Sequence, residues 1–125
     1  MLLKLVWVAV GSAAGGVCRY LLSKAVSDHW AAAFPWGTFV VNMLGCLAIG
    51  LIYGLIDSGV HLSPELRLLL ITGFCGGFTT FSTFVHENHL LFQSDHPLLL
   101  AAYAAASFFC GLLLIHAAYS LTAHL

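Results

Sequence analysis

The chain has 125 residues, of which 61% are hydrophobic and only 7% are charged. A soluble domain carries about 25% charged residues, so this composition excludes a soluble protein and indicates an integral membrane protein. The net charge of −1 provides no basic surface for nucleic acid. The four cysteines (Cys18, Cys46, Cys75 and Cys110) fall in separate apolar segments, and their spacing supports neither a disulfide framework nor a metal cluster.

The first apolar segment, residues 2–25, is long enough to cross a bilayer as one helix, which requires roughly 20 residues. Lys4 before an apolar run is also typical of a signal peptide, but we expect the segment to be retained as the first transmembrane helix. Its Gly11-Ser-Ala-Ala-Gly15 sequence forms a GxxxG face that allows another backbone to come close. Arg19 and Lys24 predict a membrane surface near its end.

The second predicted helix spans residues 35–56 and begins at a proline, which is favoured in the first turn. Thr38 and Asn42 are four residues apart and therefore share one face of this helix. Gly50 and Gly54 form a second GxxxG pair. The helix therefore offers both a polar face and a face suited to close packing.

The third predicted segment spans residues 66–92 and follows Ser63-Pro64-Glu65, which predicts an N-cap with proline and acid in the first turn. Its middle reads GFCGGFTTFSTF, residues 73–84. Glycine weakens a helix by roughly 1 kcal/mol relative to alanine, and Thr and Ser can bond the backbone locally. We therefore predict that this helix is broken in the middle of the membrane.

Broken backbone persists at membrane depth only where it is buried in protein or lines a wet cavity. In transporters, such breaks present carbonyl groups to cations and helix N-termini to anions. The interruption within residues 73–84 therefore predicts part of an ion pathway.

The fourth predicted helix spans residues 97–119, and it places Tyr103, Ser107 and Gly111 four residues apart on one face. Short connections join the four helices. The predicted fold is an all-α membrane protein, with residues 1–125 forming a single domain of four transmembrane helices.

The basic residues leave the orientation of this bundle open. Lys4 and Arg67 lie on one predicted side, whereas Lys24, with Arg19 near it, lies on the other. An excess of Lys and Arg usually marks the cytoplasmic side. Either another feature fixes the orientation, or the chain inserts both ways and pairs antiparallel. The small size of the bundle and its small-residue faces favour an antiparallel, dual-topology homodimer.

Uncharged donors dominate the polar residues of the predicted spans, and Glu87 lies only near the end of the third. A proton-coupled multidrug exporter, the alternative of this size, requires an intramembrane carboxylate. A cation channel favours acidic rings. Uncharged donors instead suit a small anion, because they replace its water without preventing its exit. The candidate donors are Thr38, Asn42, Thr79, Thr80, Ser82, Thr83, Tyr103 and Ser107.

Phe81 and Phe84 are three residues apart and project from neighbouring positions of one helical face. Ordinary packing is one interpretation of this pair. The other depends on the electropositive edge of an aromatic ring, which beside Asn42 and the hydroxyls would form a narrow, nearly dry, anion-favouring passage. The histidines of the sequence HENH, residues 86–89, give little support to a metal or haem site, because no third ligand is evident.

These residues match a known family. Over nearly its whole length, the chain resembles the small bacterial fluoride channels, the Fluc or CrcB family. The resemblance rests on Gly15-Gly16 with Arg19-Tyr20, on Pro35-x-Gly37-Thr38-x-x-x-Asn42-x-x-Gly45, and on residues 73–84. It implies a passive fluoride channel, and not an enzyme, that lets fluoride leave the cytoplasm through the bacterial inner membrane. A non-transporting assembly subunit is a third and weaker interpretation.

The resemblance also implies roles for individual residues. Phe81 and Phe84 would turn their ring edges toward fluoride, Asn42 would donate a hydrogen bond to it, and each pore of the dual-topology homodimer would be lined by both subunits. The remaining implied pore residues are Thr38, Ser82, Thr83, Tyr103 and Ser107.

Two further roles follow from the resemblance. Arg19 would raise the anion concentration in an aqueous vestibule. The backbone carbonyls of Gly76 and Thr79 would hold a structural sodium ion on the two-fold axis. No organic cofactor is expected, and the predicted partners are fluoride, a second copy of the chain and the lipid bilayer.

Overall fold

A computed structural model describes residues 1–125, and all of its regular secondary structure is helical. Four segments are long and apolar enough to cross a membrane, which confirms the predicted number of spans: Leu2–His29, Trp36–Asp57, Pro64–Gln93 and Pro97–Ala123. The first, second and fourth are the single helices α1 (Leu2–His29), α2 (Trp36–Asp57) and α6 (Pro97–Ala123). The protein is a multi-pass membrane protein.

The third segment consists of several consecutive pieces. It comprises α3 (Pro64–Arg67), a π-helix (Leu68–Cys75), α4 (Gly76–Phe78) and α5 (Ser82–Gln93). The predicted N-cap is present, because the Ser63 hydroxyl accepts a hydrogen bond from the Leu66 N–H at 3.1 Å.

The interruption of the third segment is confined to residues 79–81, where Thr79 adopts an extended backbone with φ −83° and ψ 156°. The interruption lies within the predicted residues 73–84, but it falls at the hydroxyl residues and not at the glycines. Gly73 and Gly77 lie inside helical turns, and their missing side chains admit the backbone of α1 near Gly11 and Ser12. Close packing retains these glycines in the helix, and the hydroxyl residues after them supply the break.

The GxxxG face of α1 packs against the third segment. A Cβ atom at Gly15 would collide with the Phe74 carbonyl, and one at Gly11 with the Leu69 carbonyl. The second pair behaves in the same way, because a Cβ at Gly54 would meet Thr122 of α6. Both pairs therefore allow close backbone approach as predicted, but they do so within one protomer. They provide no support for the predicted homodimer.

We expect Gly15→Ala to lower the free energy of unfolding by about 1–3 kcal/mol, because the added methyl overpacks a backbone contact. Gly16→Ala is the matched control, since a Cβ at Gly16 meets nothing within 4 Å. The control should be neutral or stabilising by up to about 1 kcal/mol through helix propensity. Reversible unfolding in detergent measures both variants, and equal midpoints would contradict this packing.

Candidate ion-conduction site

Asn42 of α2 holds the interrupted backbone of the third segment. Its side-chain Nδ2 donates to the Thr80 carbonyl at 3.0 Å, and its Oδ1 accepts from the Thr80 N–H at 2.9 Å. The side-chain amide thus replaces the helical partners that Thr80 lacks, as buried backbone groups require. Only one of the two Nδ2 hydrogens is used, so the other remains available as a donor.

The two hydrogen bonds between Asn42 and Thr80 form what we call the clasp. Thr79 lies directly before it in the chain and packs against α2. A Cβ at Gly45 would overlap the Thr79 methyl group, so the glycine admits Thr79 to this position. The Thr79 N–H and hydroxyl both donate to the Cys75 carbonyl, at 3.0 and 2.9 Å. The hydroxyl of Thr79 is therefore turned back along its own helix.

The break leaves several carbonyl oxygens without a donor, and those of Gly76 and Thr79 are among them. The Thr80 N–H, which in a continuous helix would bond the Gly76 carbonyl, goes to Asn42. No hydrogen bond is directed to the carbonyl oxygens of Gly76 or Thr79 within the protomer. Gly76 is also exposed. These oxygens are hard donors of the kind that bind alkali and alkaline-earth cations.

Asn42, Thr80, Phe81, Phe84 and Ser107 all line one cleft of about 460 Å³ between α2, the break and α6. The Ser107 hydroxyl is buried and has no hydrogen-bond partner. A donor, two aromatic rings and an unpartnered hydroxyl therefore meet in one space.

The two phenylalanines differ in their surroundings. Phe81 is 76% exposed, whereas Phe84 is half-buried. Their ring centroids are 6.2 Å apart at an interplanar angle of 41°. Phe84 also makes an edge-type contact with Tyr103, at 5.0 Å between centroids. Phe84 thus packs within the protomer, whereas the Phe81 side chain extends from the protomer surface.

Glu87 connects two of the predicted pore residues. The Tyr103 hydroxyl donates to Glu87 Oε1 at 2.8 Å, and the Thr38 hydroxyl donates to Glu87 Oε2 at 2.9 Å. Tyr103 and Thr38 are buried, with 0% and 4% exposure. The carboxylate therefore sits beside Phe84, and both hydroxyls are already engaged with it.

Sequence reasoning assigned no role to Glu87 and treated it as a residue near a helix end. One signal was present, because Glu87 follows Thr83 by four residues and Phe84 by three, which places all three on one face of α5. The pairing of Asn42 with Thr80 was also missed, since residues 38 positions apart carry no local pattern.

The remaining predicted residues lie around the cleft. Arg19 Nε donates to the Gly77 carbonyl at 3.3 Å, which places the guanidinium beside the turn that precedes the break. The Thr83 N–H bonds the Thr80 hydroxyl at 3.3 Å, and Ser82 is exposed. Ser82 and Thr83 thus begin α5 and do not line the cleft with Phe81.

A helical membrane bundle with an interrupted helix and a polar cleft at the break is typical of channels and transporters. The chain belongs to the CrcB-like family: the family model described as "CrcB-like protein, Camphor Resistance (CrcB)" matches residues 6–119.

Relatives named "Fluoride-specific ion channel FluC" are similar to this chain. The protein from Maridesulfovibrio salexigens is 50% identical over 73% of this chain and 72% of its own length. The relative from Flavobacterium psychrophilum is 43% identical over 86% of each chain. The relative from Nitrosococcus oceani is 38% identical over 95% of each chain.

Proposed function

We propose that the protein is a fluoride-selective ion channel of the bacterial inner membrane, which lets cytoplasmic fluoride leave passively down its electrochemical gradient. The observation that carries this proposal is the cleft in which Phe81, Phe84, Asn42 and Ser107 come together. The names of the relatives support fluoride as the ion. Neutral HF crosses membranes and dissociates inside, and the channel would relieve that load.

The chemistry of the cleft suits a small dehydrated anion. An unpaired ion in a low-dielectric medium costs tens of kcal/mol, so several weak ligands must replace its water together. The free Asn42 N–H, the Ser107 hydroxyl and the electropositive ring edges of Phe81 and Phe84 supply such ligands. Thr38 and Tyr103 would border the fluoride path. Their hydroxyl groups would not contact the ion directly, because both donate hydrogen bonds to Glu87. Ser82 and Thr83 would continue the path at the start of α5.

The channel would be an antiparallel homodimer. Phe81 is 76% exposed, so its side of the cleft is incomplete in one protomer. A second copy would cover it and give two pores lined from both subunits. The even distribution of Lys and Arg favours opposite orientations of the two copies.

A tag at Leu125, which is 84% exposed, tests the orientation. In sealed inverted vesicles, we expect a membrane-impermeant reagent to label about half of the tags from outside, and the rest only after the membrane is opened. Labelling of all or none from one face would contradict dual topology.

A structural sodium ion would sit on the two-fold axis of the dimer. The family resemblance implies the carbonyl oxygens of Gly76 and Thr79 as its ligands, and no group of three or more His, Cys, Asp and Glu side chains offers an alternative. The two carbonyl oxygens fit the ion, because neither accepts a hydrogen bond within the protomer. The ion would satisfy carbonyls released by the break, and its charge would favour nearby anions. Arg19, bound to the Gly77 carbonyl, would add positive charge on the same side.

We expect sodium to raise the unfolding temperature of the purified protein, whereas potassium and N-methyl-glucamine at equal ionic strength do not. A ligand at 100 times its dissociation constant stabilises the folded state by about 2.7 kcal/mol. The shift should saturate with sodium concentration. Identical melting curves in all three salts would exclude the proposed sodium site.

Fluoride efflux from liposomes that contain the purified protein tests the function itself. A fluoride electrode should record rapid, electrogenic efflux when a potassium ionophore balances the charge, and chloride efflux should be near background. Absence of fluoride efflux, or an equal chloride rate, would refute the proposal.

One observation favours a second function, a proton-coupled multidrug exporter. Glu87 is an acid inside the third spanning segment and is half-buried. Its two oxygens, however, accept hydrogen bonds from Tyr103 and Thr38, and no cation faces it within 4.0 Å. Drug-stimulated proton flux in the same liposomes would support the exporter, and its absence together with fluoride efflux would exclude it.

A further inference from the structure

A second cleft lies at the opposite end of α2 from the break. Its volume is about 350 Å³, and it is bordered by the start of α1, the end of α2 and the first turns of the third segment. Tyr53 in its wall follows Asn42 by eleven residues of α-helix, which corresponds to about 16 Å along the axis. The cleft is therefore separate from the conduction site.

Two cations share this cleft, and neither has a partner. Lys4 and Arg67 both line it and both are exposed. The only ion pair of the protein joins Lys24 to Asp28, at 3.0 Å in a different part of α1. The carboxylate of Asp57, at this end of α2, accepts a hydrogen bond from Tyr119 of α6. Two positive charges thus line one space that no acid lines, and neither Asp57 nor Glu65, which adjoin the lining residues Ile56 and Pro64, forms an ion pair with them.

The rest of the lining is partly apolar and partly hydroxylated. Ile56, Leu68 and Ile71 form the apolar part, and Tyr53 and Thr72 bring hydroxyl groups. Lys, Arg and Tyr at the end of a spanning bundle place their polar tips at the membrane surface and their stems along apolar groups. The cleft therefore combines two cations and two hydroxyl groups with an apolar wall.

We propose that this cleft binds the headgroup of an anionic phospholipid. The phosphate would lie between Lys4 and Arg67, with hydroxyl donors from Tyr53 and Thr72, and an acyl chain would follow Ile71. Basic residues at the membrane surface attract anionic lipids. A zwitterionic headgroup would bring a third positive charge to two unpaired ones, so an anionic lipid is favoured. The apolar wall favours a lipid phosphate over free phosphate.

Native mass spectrometry of the purified protein with phosphatidylglycerol or phosphatidylcholine tests this site. Removal of each cation should weaken phosphatidylglycerol binding about fivefold. The affinity for phosphatidylglycerol should therefore fall about fivefold in Arg67→Gln and about 25-fold in the double variant Lys4→Gln with Arg67→Gln. Lys24→Gln is the charge-matched control and should bind like the wild type, because Lys24 lies away from the cleft. Melting temperatures of the variants verify that they are folded.

Three outcomes would overturn the proposal. Equal retention of phosphatidylcholine would indicate unspecific lipid around the bundle. Equal losses in Arg67→Gln and Lys24→Gln would indicate a general charge effect. Displacement of phosphatidylglycerol by millimolar inorganic phosphate would assign the site to free phosphate.

A second measurement uses Trp7, which follows Lys4 by three residues, about 4.5 Å along α1. With Trp30 and Trp36 replaced by phenylalanine, Trp7 is the only tryptophan. Brominated phosphatidylglycerol should quench its fluorescence more strongly than brominated phosphatidylcholine, and this preference should vanish when Lys4 and Arg67 are both replaced by glutamine. A preference that persists in this variant would contradict the site.

Discussion

Replacement of both Phe81 and Phe84 by isoleucine is expected to lower fluoride efflux by about tenfold or more while the protein remains folded. Aromatic ring interactions contribute about 0.5–1.5 kcal/mol each, so loss of two from one passage raises the barrier by about 1–3 kcal/mol, and about 1.4 kcal/mol corresponds to a factor of ten in rate. Isoleucine keeps an apolar surface but has no electropositive edge. Phe81 is 76% exposed, so its replacement removes little packing from the protomer.

Phe109→Ile is the control for this experiment. Phe109 is 61% exposed on α6 and packs edge-on against Phe108, but it does not line the cleft. This variant should conduct fluoride like the wild type. Wild-type efflux in the double variant of Phe81 and Phe84 would remove the ring-edge mechanism, even if the protein proves to be a fluoride channel.

Features with a local signal were predictable from the sequence. Four apolar stretches predicted four spans, and the Ser63 cap followed from the residue types at one helix start. Asn42 and Phe84 line one cleft, and helical spacing together with the family resemblance indicated that these two residues lie close together. Single segments carry the information for the spans and the cap, whereas the cleft shared by Asn42 of α2 and Phe84 of α5 depended on the family resemblance.

Features that depend on two distant segments were not predictable in this way. The glycines of the third segment resembled helix breakers, yet Gly73 and Gly77 are required for contact with α1. Glu87 resembled an end residue, because its partners Thr38 and Tyr103 lie on two other helices. A propensity scale describes what a residue costs in isolation, and tertiary packing decides what that residue does.

The break itself shows how these levels combine. Gly45 admits Thr79 to the surface of α2, and Asn42, one turn earlier on α2, then holds Thr80 by both backbone groups. Because Thr80 is bound to α2, the carbonyl of Gly76 loses its helical donor. One side-chain amide therefore links the shape of the cleft to the freed carbonyls proposed for sodium.

Asn42→Leu should have the largest effect on the fold and on transport together. Leucine has a similar size but leaves the N–H and carbonyl of Thr80 without partners, and each unsatisfied group costs about 1–3 kcal/mol. We expect the free energy of unfolding to fall by about 2–4 kcal/mol and fluoride efflux to fall to background. Unfolding in detergent and efflux from liposomes measure the two effects separately.

Two further variants separate the roles of Asn42. Asn88→Leu is the stability control, because Asn88 bonds only the Phe84 carbonyl one turn earlier in its own helix, and its loss should cost less. Asn42→Asp can still accept from the Thr80 N–H, but it has no donor and brings negative charge into the cleft. It should therefore retain more stability than Asn42→Leu while efflux is abolished. If Asn42→Leu melted like the wild type, the amide would not hold the break, and the link between the clasp and the conduction site would be wrong.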